Sequence, residues 1–140
     1  MSDAQALAEQ LVAGMMAKDA FSQWLGISIQ EVRPNGATVA MMVRPEMVNG
    51  FGVCHGGVVF ALADSALAFA SNTHGRVTVS IENSITYPAA IAVGDELTAI
   101  AEEESSTNRL AFFKVTVRRR DAKVVALFRG TVYKTDKPHA

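Results

Sequence analysis

Apolar side chains recur along this chain with two different periods, and the switches between them mark out its elements. Ala8, Leu11, Val12, Met15 and Met16 fall at helical spacing, which predicts an amphipathic helix over Ala4 to Lys18 with Asp3 as its N-cap. Phe21, Trp24 and Leu25 read as a short hydrophobic tether ending at Gly26. Ile27–Arg33 and Ala37–Val43 alternate well enough to be strands. Pro34-Asn35-Gly36 between them is a hairpin signal, because Asn-Gly tolerates positive φ. Pro45 to Cys54 reads as a loop, with a turn at Asn49-Gly50 and a flexible point at Gly52.

The next segment has no polar face. From about Gly56 to Asn72 almost every residue is Ala, Leu, Val or Phe, which predicts a helix apolar on nearly all sides, buried, and stopped by Gly75. Strand periodicity then returns. Val77, Val79, Ile81, Asn83, Ile85 and Tyr87 share one face, with Arg76, Thr78, Ser80, Glu82, Ser84 and Thr86 on the other, until Pro88. Glu96–Glu104, Arg109–Arg119 and Lys123–Tyr133 follow, and their short connections imply an antiparallel meander. A helix apolar all round needs cover on most sides, and one long antiparallel sheet curling about it supplies that cover. The expected fold class is therefore α+β, a single domain over residues 1–140, with an N-terminal helix within 1–18 and a frayed tail at 136–140.

Composition narrows the function classes. The chain has 140 residues, 49% hydrophobic and 19% charged, with a net charge of -1, which suits a globular domain with a sizeable core. A charge so close to zero argues against a nucleic-acid partner held by bulk electrostatics. The single cysteine, Cys54, makes no internal disulfide, in keeping with a reducing compartment. The N-terminus lacks signal-peptide organisation, and the longest apolar stretch, Val58 to Ala70, is interrupted by Asp64 and too short for a bilayer. The expectation is a soluble, cytoplasmic protein with no membrane or nucleic-acid partner.

Asp64 is then the residue to explain, as the one charged side chain in the apolar helix. An ionised carboxylate there costs several kcal/mol unless a partner, a substrate or a raised pKa compensates. It is either poised as a base or nucleophile, or a structural Asp hydrogen-bonded to a hydroxyl such as Ser65 or Thr78. Gly56 and Gly57 open the same helix with backbone N–H groups free of side-chain cover. That suits an oxyanion hole for acyl transfer, although the glycines also suit close packing of the helix start. Gly56 and Asp64 are eight residues apart in sequence, so along a helix their backbones stand about 12 Å apart. If both serve one carbonyl, they come from different subunits at a two-fold interface, which predicts a dimer.

The string Met47-Val-Asn-Gly-Phe-Gly-Val-Cys-His-Gly-Gly-Val-Val-Phe-Ala-Leu-Ala-Asp-Ser-Ala resembles the PaaI-type hotdog thioesterases of phenylacetate degradation. Ile85-Thr-Tyr-Pro-Ala, Gly94-Asp-Glu-Leu-Thr-Ala and Val125-Ala-Leu-Phe-Arg-Gly resemble them too. The resemblance implies a hotdog fold, in which a six-stranded antiparallel sheet wraps the central helix, with homodimers sharing active sites and pairing into homotetramers. It implies hydrolysis of an acyl- or aryl-acyl-CoA, such as phenylacetyl- or hydroxyphenylacetyl-CoA, to free acid and CoA, with no metal, cofactor or prosthetic group. By the same resemblance Asp64 is base or nucleophile, Gly56 polarises the thioester carbonyl, Asn49 orients water or substrate, and His55 orients the loop or contacts the thioester. Gly57, Ser65, Asn83, Ser84, Tyr87 and Arg118 are the expected substrate contacts, and Val58, Val59 and Phe60 candidates for shaping the acyl pocket. The turn after Pro88 departs from the family, with Ala89-Ala90 where Pro-Gly is common.

The remaining candidates carry ordinary structural readings. His74 suits a dipole-stabilising cap at the helix C-terminus, and His139 a solvated tail. The three histidines and Cys54 show no metal-ligand spacing, and Cys54 reads as a packed small residue. Met15, Met16, Met41, Met42 and Met47 suit core or interface filling. Arg118-Arg119-Arg120 is a solvated strand end or a contact for CoA phosphates, with Arg76, Arg109 and Lys114 as further phosphate candidates. Two rival functions remain: a hotdog acyl-CoA hydratase or dehydratase, which wants a His base at the substrate carbon, and a non-catalytic acyl-CoA-binding module.

Overall fold

The computed structural model describes residues 2–140. Helix α1, Asp3–Lys18, starts one residue earlier than its periodicity suggests, because Ser2 rather than Asp3 is the cap: Ser2 Oγ accepts the Gln5 N–H at 3.1 Å. The tether is itself a helix, α2, Ala20–Leu25, capped by Asp19 and ended by Gly26 at φ 79. Leu25 alone of its three apolar residues is buried; Phe21 and Trp24 stay exposed and stack on each other. Strands β1, Ser28–Arg33, and β2, Gly36–Met42, form the expected hairpin, with Asn35 at φ 61.

Helix α3, Gly56–Ser71, is the buried helix, with Val59, Leu62, Ala63, Ala66, Leu67, Phe69 and Ala70 all in the core. Gly75 does not stop it; Asn72 does. The Asn72 amide donates to Ala68 O at 2.8 Å and Thr78 O at 2.9 Å, while its Oδ1 accepts the Thr78 N–H at 2.9 Å. Thr73 Oγ1 takes the Ala70 carbonyl at 3.1 Å. His74, expected as a dipole-stabilising cap, is pushed toward the neutral form by burial first, and then by Lys134, Arg76 and His139, against its hydrogen bond to the Ser71 backbone at the helix end.

Four strands complete the sheet: β3 Arg76–Thr86, β4 Glu96–Ser106, β5 Leu110–Arg119 and β6 Val124–Pro138. The order is β1-β2-β4-β5-β6-β3, antiparallel throughout. The meander therefore holds for β4, β5 and β6 only, and β3 runs along the far edge beside β6. α3 packs on β2, β3, β4, β5 and β6, so the sheet covers it as the all-apolar composition requires. The expected frayed tail is also corrected. β6 continues to Pro138, Arg109 holds Asp136 with two bonds of 2.7 and 3.0 Å, and the His139 N–H donates to Gly75 O. His139 Nε2 is buried without a partner rather than solvated.

β3 does not keep the single apolar face that its sequence suggests. Its pairing with β6 slips between Ser80 and Glu82, and a bulge of this kind exchanges inward and outward positions. Before the slip Ser80 lies opposite buried Val132; after it Asn83 and Ile85 lie opposite buried Gly130 and Phe128. Val79 and Ile81 consequently point outward, 48% and 57% exposed.

Candidate active site

The loop before α3 is tied down by its own backbone and by Asn49. Asn49 Oδ1 accepts the Phe51 N–H at 2.9 Å and the Val53 N–H at 3.4 Å, and Val48 bridges Cys54. This turn delivers His55 to the N-cap of α3, where its Nδ1 accepts the Gly57 N–H at 3.0 Å. The imidazole proton therefore sits on Nε2.

That bond corrects the expectation for Gly57. Its N–H is occupied, and the Gly56 N–H is the donor that has no acceptor among the described residues. Tyr87 fixes the same glycine from the other side, donating its hydroxyl to Gly56 O at 2.7 Å. A Cβ at Gly56 would meet the Tyr87 ring at 3.1 Å, a tight contact that the exposed tyrosine would have to yield to by a few tenths of an ångström. Cys54, one residue before His55, is 7% exposed, and burial, assisted by Asp95, pushes its thiol up to about 11. It is the packed, inert residue expected.

Asp64 lies half-buried on α3. Burial raises its carboxyl above the ordinary value of 3.8, the Asn83 hydrogen bond opposes this, and the charge of Asp19 adds to it. Asn83 Nδ2 donates to Asp64 Oδ1 at 3.3 Å, so the partner is an amide from β3 and neither of the hydroxyls proposed from sequence. Thr78 Oγ1 instead donates to Arg76 O.

Ser65 is corrected as a substrate contact. Its hydroxyl is 2.8 Å from Ser22 Oγ, which donates to Asp19 Oδ2 at 2.6 Å, so it belongs to a buried chain that locks α2 onto α3. One residue along a helix is a turn of about 100°, enough to put Ser65 on another face from Asp64. Ser84 is corrected too: it pairs with exposed Arg129 on the outer face of the sheet, opposite to the face carrying Asn83. Arg118 is exposed on that outer face and donates to Ala122 O, within its own hairpin. Arg109 is committed to Asp136, and Arg76 to the carbonyls of Asn108, Lys134 and Thr135. Val59 is in the core, and Phe60 packs edge-on to Phe128.

Within one chain, then, two separate clusters form on α3: Asn49, His55, Gly56 and Tyr87 at its start, and Asp64, Asn83 and Ser80 at its middle. Asp19 and Gly130 escaped the sequence reading. The first had a signal in Asp-x-x-Ser before an apolar run, the second in a glycine inside a strand.

The family model of the thioesterase superfamily matches residues 51–126. The acyl-coenzyme A thioesterase PaaI of Escherichia coli is 36% identical over 116 residues, spanning 83% of this chain and 83% of that protein. The chain belongs to the thioesterase superfamily. The solved structure of Escherichia coli PaaI, from the phenylacetic acid degradation operon, superposes on this member with a TM-score of 0.95 at 32% identity, covering 97% of this chain and 99% of that one. A mutant of the phenylacetic acid degradation protein PaaI of Thermus thermophilus gives 0.80 at 38% identity, over 84% and 100% of the two chains. The fold is thus the hotdog fold of the PaaI-type thioesterases, and the protein is a thioester hydrolase. No helix among the described residues is long and apolar enough to cross a membrane.

Proposed function

We propose that this thioesterase hydrolyses acyl-CoA, with an aryl-acetyl group such as phenylacetyl or hydroxyphenylacetyl as the favoured acyl class, in a site shared between two subunits. The observation that carries the reading is one helix bearing both an uncommitted N–H at Gly56 and a half-buried carboxylate at Asp64. At about 1.5 Å per residue they are too far apart to grip one carbonyl within a chain. In a two-fold dimer each Gly56 serves the partner's carboxylate. The free edge of β3, with exposed Val79 and Ile81, supports pairing of a second copy along that strand. Homotetramers would follow from pairing of such dimers.

Asp64 takes a proton from water as the water oxygen adds to the thioester carbon. The Gly56 N–H, at the positive end of α3, stabilises the oxyanion. Collapse breaks the C–S bond and expels the CoA thiolate, a good leaving group that takes up a proton from solvent. In the alternative route Asp64 adds to the carbon itself, and water then cleaves the resulting anhydride. Both need no metal or prosthetic group. His55 and Asn49 hold the loop that presents Gly56, and Tyr87 holds its carbonyl. A hydratase would need an imidazole at the substrate carbon, whereas His55 Nδ1 is engaged in capping.

Steady-state hydrolysis of a CoA-ester panel by the wild type and Asp64→Ala tests the reading. A loss of kcat of about a thousandfold or more is expected in the variant. Equal rates in the two proteins would remove Asp64 from the mechanism, and tight binding without turnover would favour a binding module. Single turnover in ¹⁸O-water tests for the second route, since label enters the Asp64 carboxylate only when Asp64 attacks and water then adds to the aspartyl carbonyl of the anhydride.

A further inference from the structure

The sheet opposite Asp64 makes room for one particular side chain. Gly130 on β6 faces Asn83 on β3, and a Cβ at Gly130 would lie 2.5 Å from Leu67 Cδ2 and 2.7 Å from Asn83 Oδ1. Glycine weakens a strand interior, and one at a site of close approach has a packing reason. Here the space is filled by the Leu67 methyl and the Asn83 amide together. Its Nδ2 donates to Asp64 Oδ1 and to Ser80 Oγ, each at 3.3 Å. Its Oδ1 is buried with no hydrogen-bond partner among the described residues.

An amide with an orphaned oxygen is a poor choice for packing alone, because a leucine of similar size would leave nothing unpaired. The central inward positions of β2, β4, β5 and β6 follow that apolar rule, with Val39, Ala99, Val115 and Phe128 all buried. What the amide adds is its grip on Asp64. We propose that Asn83 is a positioning residue for Asp64, holding one carboxylate oxygen through Nδ2 so that the other faces the reacting water, and that glycine at 130 lets this amide and Leu67 sit side by side.

The inference rests on the reading of Asp64 as the reacting carboxylate, and it gives the orphaned oxygen a use. When Asp64 has taken a proton it becomes a donor. A half-turn of the Asn83 amide then replaces Nδ2 by Oδ1 as its partner, and one side chain serves both protonation states. Asp19, the N-cap of α2, is the ionisable group whose charge acts on Asp64, and it acts in the opposite sense to the Asn83 bond. Glu82, next to Asn83, pairs with Thr131 and points to the other face of the sheet.

The test is the titration of the Asp64 carboxyl by ¹³C NMR, assigned with Asp64→Asn, beside the pH profile of kcat/KM. Asn83→Leu is expected to move the titration and the acid limb to higher pH, with kcat about tenfold lower and KM within about twofold. Asp19→Asn is expected to move both to lower pH. Asn83→Ser, too short to reach Asp64, repeats the upward shift should the leucine variant not fold. An Asp64 titration unchanged in both Asn83 variants overturns the proposal. Because that titration is read without turnover, a shift in a protein that hydrolyses no thioester would sink the functional reading and leave the positioning role standing.

Discussion

At its C-terminal end α3 leaves little open: Ser71, Asn72 and Thr73 each turn a side chain back onto a carbonyl of the last turns, and all three are buried. At its N-terminal end one donor is capped by His55, the next is left bare, and the residue that bares it is a glycine set against Tyr87. The two ends belong to the same apolar rod under the same sheet, so the contrast isolates what local sequence does. Polar residues that complete the helix serve stability. A residue that leaves it incomplete, at a place the macrodipole makes electropositive, serves chemistry in the proposed mechanism.

The contrast breaks most visibly at Gly56. Gly56→Pro removes the one N–H at the first helical position, where proline is well tolerated, and His55 already has the extended backbone (φ -63, ψ 131) that precedes a proline. Gly56→Ala is the control, since it adds a Cβ against Tyr87 and keeps the N–H. Steady-state kinetics should show kcat lower in the proline variant than in the alanine variant by about 100- to 1,000-fold. At the other end Asn72→Ala should do the reverse. Losing its three hydrogen bonds, two of them fully buried, costs about 3 kcal/mol in denaturant unfolding, with kcat per folded molecule unchanged. The smallest effect falls between the two ends. Burial raises the Asp64 titration above 3.8, so its contribution to stability is fully present below that value and is lost as pH rises through the raised one. Asp64→Asn should therefore melt at a higher temperature than the wild type at neutral pH, and the gap should close on acidification.

Periodicity made the elements legible because burial is repetitive: α3 and the β1–β2 hairpin follow directly from apolar spacing and Asn-Gly. It failed where one residue shifts the count. The slip between Ser80 and Glu82 turned Val79 and Ile81 outward and left Ser84 on the face away from Asp64, and no composition rule marks such a slip. Asp64, Gly56, Asn49 and His55 stood out because each is locally anomalous or fits a known motif. Ser65 was misplaced because adjacency in a helix is not proximity of side chains. Asn83 stood out as the polar exception on its strand, yet its partner depended on a glycine 47 residues away in sequence, in contact only once β6 lies beside β3.

Cys54 has a consequence for chemical durability. A thiol pushed up to about 11 exists as thiolate in only about one molecule in ten thousand at pH 7, and thiolate is the form that oxidants and electrophiles attack. A thioester hydrolase releases a thiol at every turnover, which exposes the loop before α3 to that thiol and its disulfides. With the adjacent sulfur buried and protonated, mixed-disulfide capture of that loop is suppressed, and turnover should persist through oxidative stress that would disable an exposed, ionised cysteine.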